Sequence, residues 1–381
     1  MAMMLTRRAA GHAALGSLAT FGLSFIADRA EAVMPSAKVL PHLVAYTGTG
    51  LQTDLADKLV QPFSQYMQQK YGVPVQVQTV VGQSPAAWVA FQTEWPNPSG
   101  DVYMFYNEYV QQGIPKGYWL KLQDAFTPAE WATLDQDAVT TLATDGYTAP
   151  MSISPYVLVV QNSLKDPVTS WAALGDPKYK QRITFDSALS VGSGYNTIAA
   201  AALVRGDDWT KWFANGKFDT KAARPTFELV ANWAKNALTL TQGSGSISPL
   251  LRRGESLISA WWWQNGLQEE MAGTPVHIVY PKEGVLAAVD SGPVVSSKTK
   301  NPVAALEWAK FFNSAVAAKL AAQLHEFNLL PAKGEPVTPQ WSDFQKNAHI
   351  VWINQFREWT LGAQYNRRVL ALYNEVVIEG A

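Results

Sequence analysis

Between residues 40 and 105 the hydrophobic period switches back and forth between strand-like and helix-like, and this alternation limits the fold more than any other feature. Leu40 to Thr47 reads as a buried first strand that runs into Thr47-Gly48-Thr49-Gly50. A helix follows over roughly Thr53 to Lys70. Leu55, Leu59 and Phe63 recur there at helical spacing, and Gly72 closes it. Pro74 to Val81 alternates as the next strand. Trp88 to Glu94 is a short helix, and Asp101 to Phe105 is a short strand ending at Asn107-Glu108. Such alternation predicts an α/β layer with a mainly parallel sheet.

At 381 residues the chain exceeds what one hydrophobic core usually serves, so two domains are expected. Tyr156 to Gln161 is a continuous apolar strand, and the first crossing between domains is placed near it. The strand Ile183 to Phe185, the helix from Ser193 to Val204, the helix Phe227 to Leu238 and the strands Leu257 to Trp263 and Val276 to Tyr280 complete the second domain. A return at about Pro281 gives residues 33–155 plus 281–340 as one domain and 156–280 as the other. Pro302 to Leu324 reads as one long amphipathic helix with Ala305, Trp308, Phe312 and Val316 on one face. Residues 341–381 read as C-terminal helices packed over the outside.

The N-terminus predicts export. Thr6-Arg7-Arg8 precedes a moderately apolar segment from Ala13 to Ala27, and Ala30-Glu31-Ala32 supplies a small-x-small cleavage site. Residues 1–32 are therefore expected to leave as a signal peptide, by the twin-arginine or the general secretory route, into the periplasm. Ala9 and Ala10 stand where the twin-arginine pattern has a bulky residue. There is no cysteine, which excludes disulfides, thiol catalysis and a lipid-anchored cysteine. Lys plus Arg number 30 against 31 Asp plus Glu, so no basic excess recommends nucleic acid or a membrane surface.

Enzyme chemistry finds little support. The five histidines, His12, His42, His277, His325 and His349, show no metal-ligand spacing. G-x-S-x-G, G-x-G-x-x-G and phosphate-loop G-K-[ST] are all missing. No cofactor and no metal site is indicated. A carboxylate pair on an unrelated scaffold stays open from one sequence.

Several segments suit small-molecule binding instead. Thr47-Gly48-Thr49 and Ser193-Gly194-Tyr195 both open helices, and each offers free backbone N–H groups and hydroxyls to an anionic group. Each also reads as a plain N-cap. The run from Ile258 to Pro302 holds Trp261-Trp262-Trp263, then Pro281-Lys282-Glu283-Gly284, then Asp290-Ser291 at a strand start. On a strand Trp261 and Trp263 share a face and Trp262 takes the other, so core packing claims at least one of them. A ring beside the Asp290 carboxylate suits a cation, and an Asp at a strand end equally suits a turn.

The order of these pieces resembles the periplasmic solute-binding proteins of ABC importers, especially the branch that binds spermidine, putrescine and related solutes. Ser170-Trp171-Ala172-Ala173-Leu174 resembles the S-W-x-x-L helix of that branch. The resemblance covers nearly the whole chain after residue 32. It implies a two-lobed α/β fold with two hinge crossovers, closing on a small charged solute, and a monomer that delivers this solute to an inner-membrane permease. It places a cleft tryptophan at Trp262, counted back from Ala272-Gly273-Thr274-Pro275, with Trp263 as its neighbour. It makes Asp290 the carboxylate for a ligand ammonium and Asp186 a further candidate. Asn107 and Glu108, which end the strand Asp101 to Phe105, read equally as cleft lining or as a solvated loop.

Two departures from the pattern bear on the ligand. Ala288 stands where the branch has a tryptophan, and Asp186 is single where it has two acids. With Ser193-Gly194 close by, they leave an anionic or zwitterionic solute, such as a phosphonate or amino-acid derivative, as the alternative. Iron-binding relatives carry adjacent tyrosines, which this chain lacks. A periplasmic hydrolase or lyase and a sensor-binding protein are the rival classes.

Overall fold

The computed structural model describes residues 38–48, 51–82, 84–189, 192–325, 328–330, 333, 337–362 and 364–380. The predicted signal peptide and the candidate Thr49 lie outside them. In chain order the described elements begin with β1 (His42–Thr47), α1 (Leu51–Tyr71), β2 (Gln76–Val81), α2 (Ser84–Glu94), β3 (Val102–Tyr103), α3 (Asn107–Gly113) and β4 (Trp119–Leu120). Next come β5 (Pro150–Gln161), β6 (Ile183–Asp186), α4 (Ser193–Arg205), α5 (Thr220–Asn236) and β7 (Thr239–Thr241). Then follow β8 (Ile258–Trp262), α6 (Trp263–Met271), β9 (Val276–Val279), β10 (Val285–Ser291), β11 (Val294–Ser296), α7 (Pro302–Phe311) and α8 (Ala315–Gln323). The last are α9 (Pro339–Asn347), β12 (Ile350–Trp352), α10 (Asn354–Leu361) and α11 (Asn366–Tyr373).

Two sheets result, each flanked by helices, in a two-lobed α/β architecture. The first runs β2-β1-β3-β11-β4, with β1 parallel to β2 and β3 and with β11 antiparallel to its neighbours. The second runs β12-β10-β5-β8-β6-β7, and β9 also pairs with β5. The long strand β5 is buried on both faces. Tyr156, Leu158 and Val160 enter one core with Trp171 and Trp233, while Val157 and Val159 enter another with Trp261 and Trp263. That two-sided burial explains its continuous apolar sequence, since neither face needs polar residues.

Strand pairing shifts the expected passages between lobes. β10 pairs with β5 from Leu286 to Ser291 and with β12 from Val285 to Ala287, so it belongs to the second sheet. The chain passes to the first sheet only after Ser291, where Gly292 and Pro293 lead into β11. The outward passage lies beside it: Gly292 N–H donates to Ala149 O (2.8 Å), and Thr148 Oγ1 donates to Gly292 O (2.8 Å). Two adjacent strands thus join the lobes near 148–152 and 290–294, away from Tyr156 and Pro281.

Two further expectations are corrected. The helix from Pro302 to Leu324 is two helices. Asn313 Nδ2 donates to Pro150 O (2.8 Å) and Ser314 caps α8 through Ala317 N–H, so the turn between them is tied to the passage. The break rotates Val316 off the buried face, and it is 40% exposed. The C-terminal segment is also more than outer helices. Ile350-Val351-Trp352 adds an edge strand to β10, and α10 then turns inward against the lobe junction.

Candidate functional site

A cavity of about 710 Å³ lies between the lobes. Its walls come from strand ends and helix starts, where an α/β sheet leaves backbone and side chains free for a ligand. The end of β1 brings Gly48, the start of α3 brings Asn107 and Glu108, and the start of α4 brings Ser193. The last residue of β8 brings Trp262. The crossing strands bring Ser152, Ser154, Asp290 and Ser291.

Among the described residues lining the cavity, the charged ones are Glu108, Asp290 and Arg357. Arg357 Nε stands 3.9 Å from Glu108 Oε1, and its Nη1 stands 3.6 Å from Asp290 Oδ1. The side chain of Asn354, one turn earlier on α10, holds both backbone groups of Val289. Its Oδ1 accepts from Val289 N–H and its Nδ2 donates to Val289 O, both at 2.9 Å. This clamp fixes Arg357 beside Asp290. Burial pushes the Asp290 carboxyl above the usual range, while Arg357 and the Ser154 and Ser152 hydroxyls pull it down. Burial opposes the charge on Arg357, and the Glu108 and Asp290 carboxylates more than offset it.

Four serine hydroxyls at the cavity point their hydrogens into the protein. Ser154 donates to Asp290, Ser152 to Asp290 Oδ2 (3.2 Å), Ser193 to Asp186, and Ser291 to Phe105 O (2.9 Å). A hydroxyl has one hydrogen, so these four present only lone pairs to a ligand. Glu108 Oε2, Asn107 Oδ1 and Gln264 Oε1 are buried and have no hydrogen-bond partner among the described residues. All three atoms are acceptors.

Six of the sequence candidates line the cavity: Gly48, Asn107, Glu108, Ser193, Trp262 and Asp290. Others stand behind it. Thr47 is buried, its Oγ1 3.2 Å from Thr53 Oγ1. Asp186 is buried beneath Ser193 and also accepts from Thr241 Oγ1 (2.5 Å), so it orients the start of α4 rather than facing the cavity. Tyr195 is buried, with its hydroxyl accepting from Asn366 Nδ2 (2.7 Å). Trp263 does not line the cavity. β8 ends at Trp262, and Trp263 begins α6 with its ring packed on Phe344 (5.0 Å) and Trp341 (6.3 Å).

Gly194 serves close packing. A Cβ there would lie 2.2 Å from Ala188 N and 2.4 Å from Ser187 C, both backbone atoms. Gly194→Ala is therefore expected to push α4 off the turn after β6 and to destabilise by about 1–3 kcal/mol. A thermal melt reads this directly, and a wild-type melting temperature would refute it.

Arg357, Asn354, Ser152, Ser154 and Gln264 escaped the sequence reading. Ser152 and Ser154 carried a signal, two hydroxyls at a spacing of two within an apolar strand. Arg357 carried none, because an arginine on an amphipathic helix ordinarily faces water.

A family model described as bacterial extracellular solute-binding protein matches residues 58–350. A search of curated protein sequences finds no match. Among solved structures, the periplasmic binding protein P5PA superposes with TM-score 0.66 at 18% identity, over 89% of this chain and 100% of that one. A GABA receptor superposes with TM-score 0.65 at 21% identity, over 87% and 96%. The spermidine/putrescine ABC transporter substrate-binding protein PotD from Streptococcus pneumoniae superposes with TM-score 0.65 at 11% identity, over 89% and 98%. At these identities the likeness establishes the fold and leaves the ligand undecided.

Proposed function

The chain belongs to the bacterial extracellular solute-binding protein family, and from that premise we propose that it captures a small amine-bearing solute in the cavity between its lobes. Solute-binding proteins of ABC importers bind small molecules and deliver them to a membrane permease, and that is the role of this chain. Among the described residues no helix is long and apolar enough to cross a membrane. Export through the N-terminal segment, by either route, and a monomeric state belong to the same proposal.

One observation carries the ligand class: two of the three charged side chains among the described lining residues are carboxylates, and three buried acceptor atoms, on Glu108, Asn107 and Gln264, have no partner among the described residues. Buried acceptors without partners are costly, and a ligand that supplies N–H donors satisfies them. An ammonium has three donors and a positive charge. In this reading Asp290 and Glu108 take the ammonium, Asn107, Gln264 and Ser193 accept further hydrogens, and the Trp262 ring covers the carbon chain or the cation. Asp186 stays beneath as the residue that turns the Ser193 hydroxyl. Hinge closure along the two crossing strands would shield these bonds from water.

A zwitterionic solute is the second reading. It is favoured by Arg357, which can receive a carboxylate, and by the start of α4 at Ser193.

A thermal-shift screen across amines, amino acids, phosphonates and metal ions tests the proposal. An amine present at about a hundred times its Kd is expected to stabilise the fold by about 2.7 kcal/mol. Stabilisation by phosphonates or metal ions alone would overturn it.

A further inference from the structure

Arg357 lies beyond residues 58–350, the part that the family model matches, yet it is one of three charged side chains among the described residues lining the cavity. Its side chain is 13% exposed, and the Asn354 clamp on Val289 holds its helix in place. It stands within 4 Å of both acids, 3.9 Å from Glu108 and 3.6 Å from Asp290. Two carboxylates would suit two ammonium groups. With a guanidinium already between them, the described lining carries one net negative charge. A second ammonium would meet Arg357 in a site largely withdrawn from water, and a buried charge without a partner is costly.

We propose that Arg357 is a specificity-determining residue, a built-in cation that makes the cavity accept solutes with one ammonium and reject diamines. The proposal rests on the amine reading and sharpens it. A solute with one ammonium completes the charge balance as a monoamine. As an amino acid it adds a carboxylate that Arg357 can turn to, which leaves the two acids for the ammonium.

Calorimetry with three probes of equal chain length separates the cases: n-butylamine, 4-aminobutyrate and 1,4-diaminobutane. Wild-type protein is expected to bind one of the single-ammonium probes at least about tenfold more tightly than the diamine. Arg357→Met keeps much of the side-chain volume and removes the charge. It should raise the affinity for the diamine relative to n-butylamine by about tenfold or more. Arg357→Lys keeps the charge and should leave that ratio near the wild-type value. Arg357→Gln serves as the neutral variant if the Met variant fails to fold.

A wild-type preference for the diamine, or an unchanged ratio in the neutral variant, would overturn the inference while the amine reading stands. Absence of binding to all three probes in both proteins would overturn both.

Discussion

Asp290→Asn is expected to weaken binding of an amine solute by about 2–5 kcal/mol, the range for removing one partner of a desolvated, hydrogen-bonded charge pair. The substitution preserves shape. The Ser152 and Ser154 hydroxyls still find an oxygen to donate to, and Arg357 retains Glu108 as its ionic partner. What disappears is one of two negative charges in the cavity, which cancels its net charge among the described lining residues. The loss therefore belongs in affinity and only slightly in fold stability. Calorimetry with an amine found by the thermal-shift screen measures the first, and a thermal melt measures the second. Unchanged affinity would remove Asp290 from the ligand and leave Arg357 and the start of α4 as the main anchors, which would favour the zwitterionic or anionic solute.

Trp263→Ala should damage the fold rather than the site. The Trp263 ring is 1% exposed and packs with Phe344 and Trp341 between α6 and α9. Truncating a buried tryptophan costs about 3–5 kcal/mol, because the transfer free energy is lost and a cavity is left behind. Chemical denaturation is expected to show this loss with ligand affinity near wild type. The same change one residue earlier should do the reverse. Trp262 is half-buried at the cavity, edge-on to Tyr156 at 5.4 Å, and its removal should cost on the order of 1–2 kcal/mol of binding to a cation. If Trp263→Ala loses affinity while keeping stability, the two assignments are exchanged.

Local periodicity and turn chemistry made much of the architecture legible in the sequence. The strand at β1, the helix α1 and its close at Gly72 follow from spacing and from one glycine with positive φ (72°). The unbroken apolar run in β5 announced a strand buried on both faces. The resemblance named Trp262 and Asp290, and the end of an apolar strand named Glu108; all three line the cavity, with Asp290 near the end of β10 and not at a strand start as expected. Pairing across the chain decided the rest. β10 belongs to the second sheet because β5 and β12 satisfy its backbone groups, and neither partner is visible from the local sequence of β10. Trp262 and Trp263 differ in fate because β8 ends between them. That stop depends on where α6 packs.

Arg357 is the clearest case. The sequence around it is an ordinary amphipathic helix, and local physics gives its guanidinium to water. Only the tertiary structure, with β12 laid on β10 and Asn354 clamped to Val289, carries the charge from residue 357 to the carboxylates of residues 108 and 290. The sequence by itself determined the fold class and many of the elements, because these depend on neighbours along the chain. The charge balance of the cavity depends on contacts between residues far apart in the chain, and only the tertiary structure decided it.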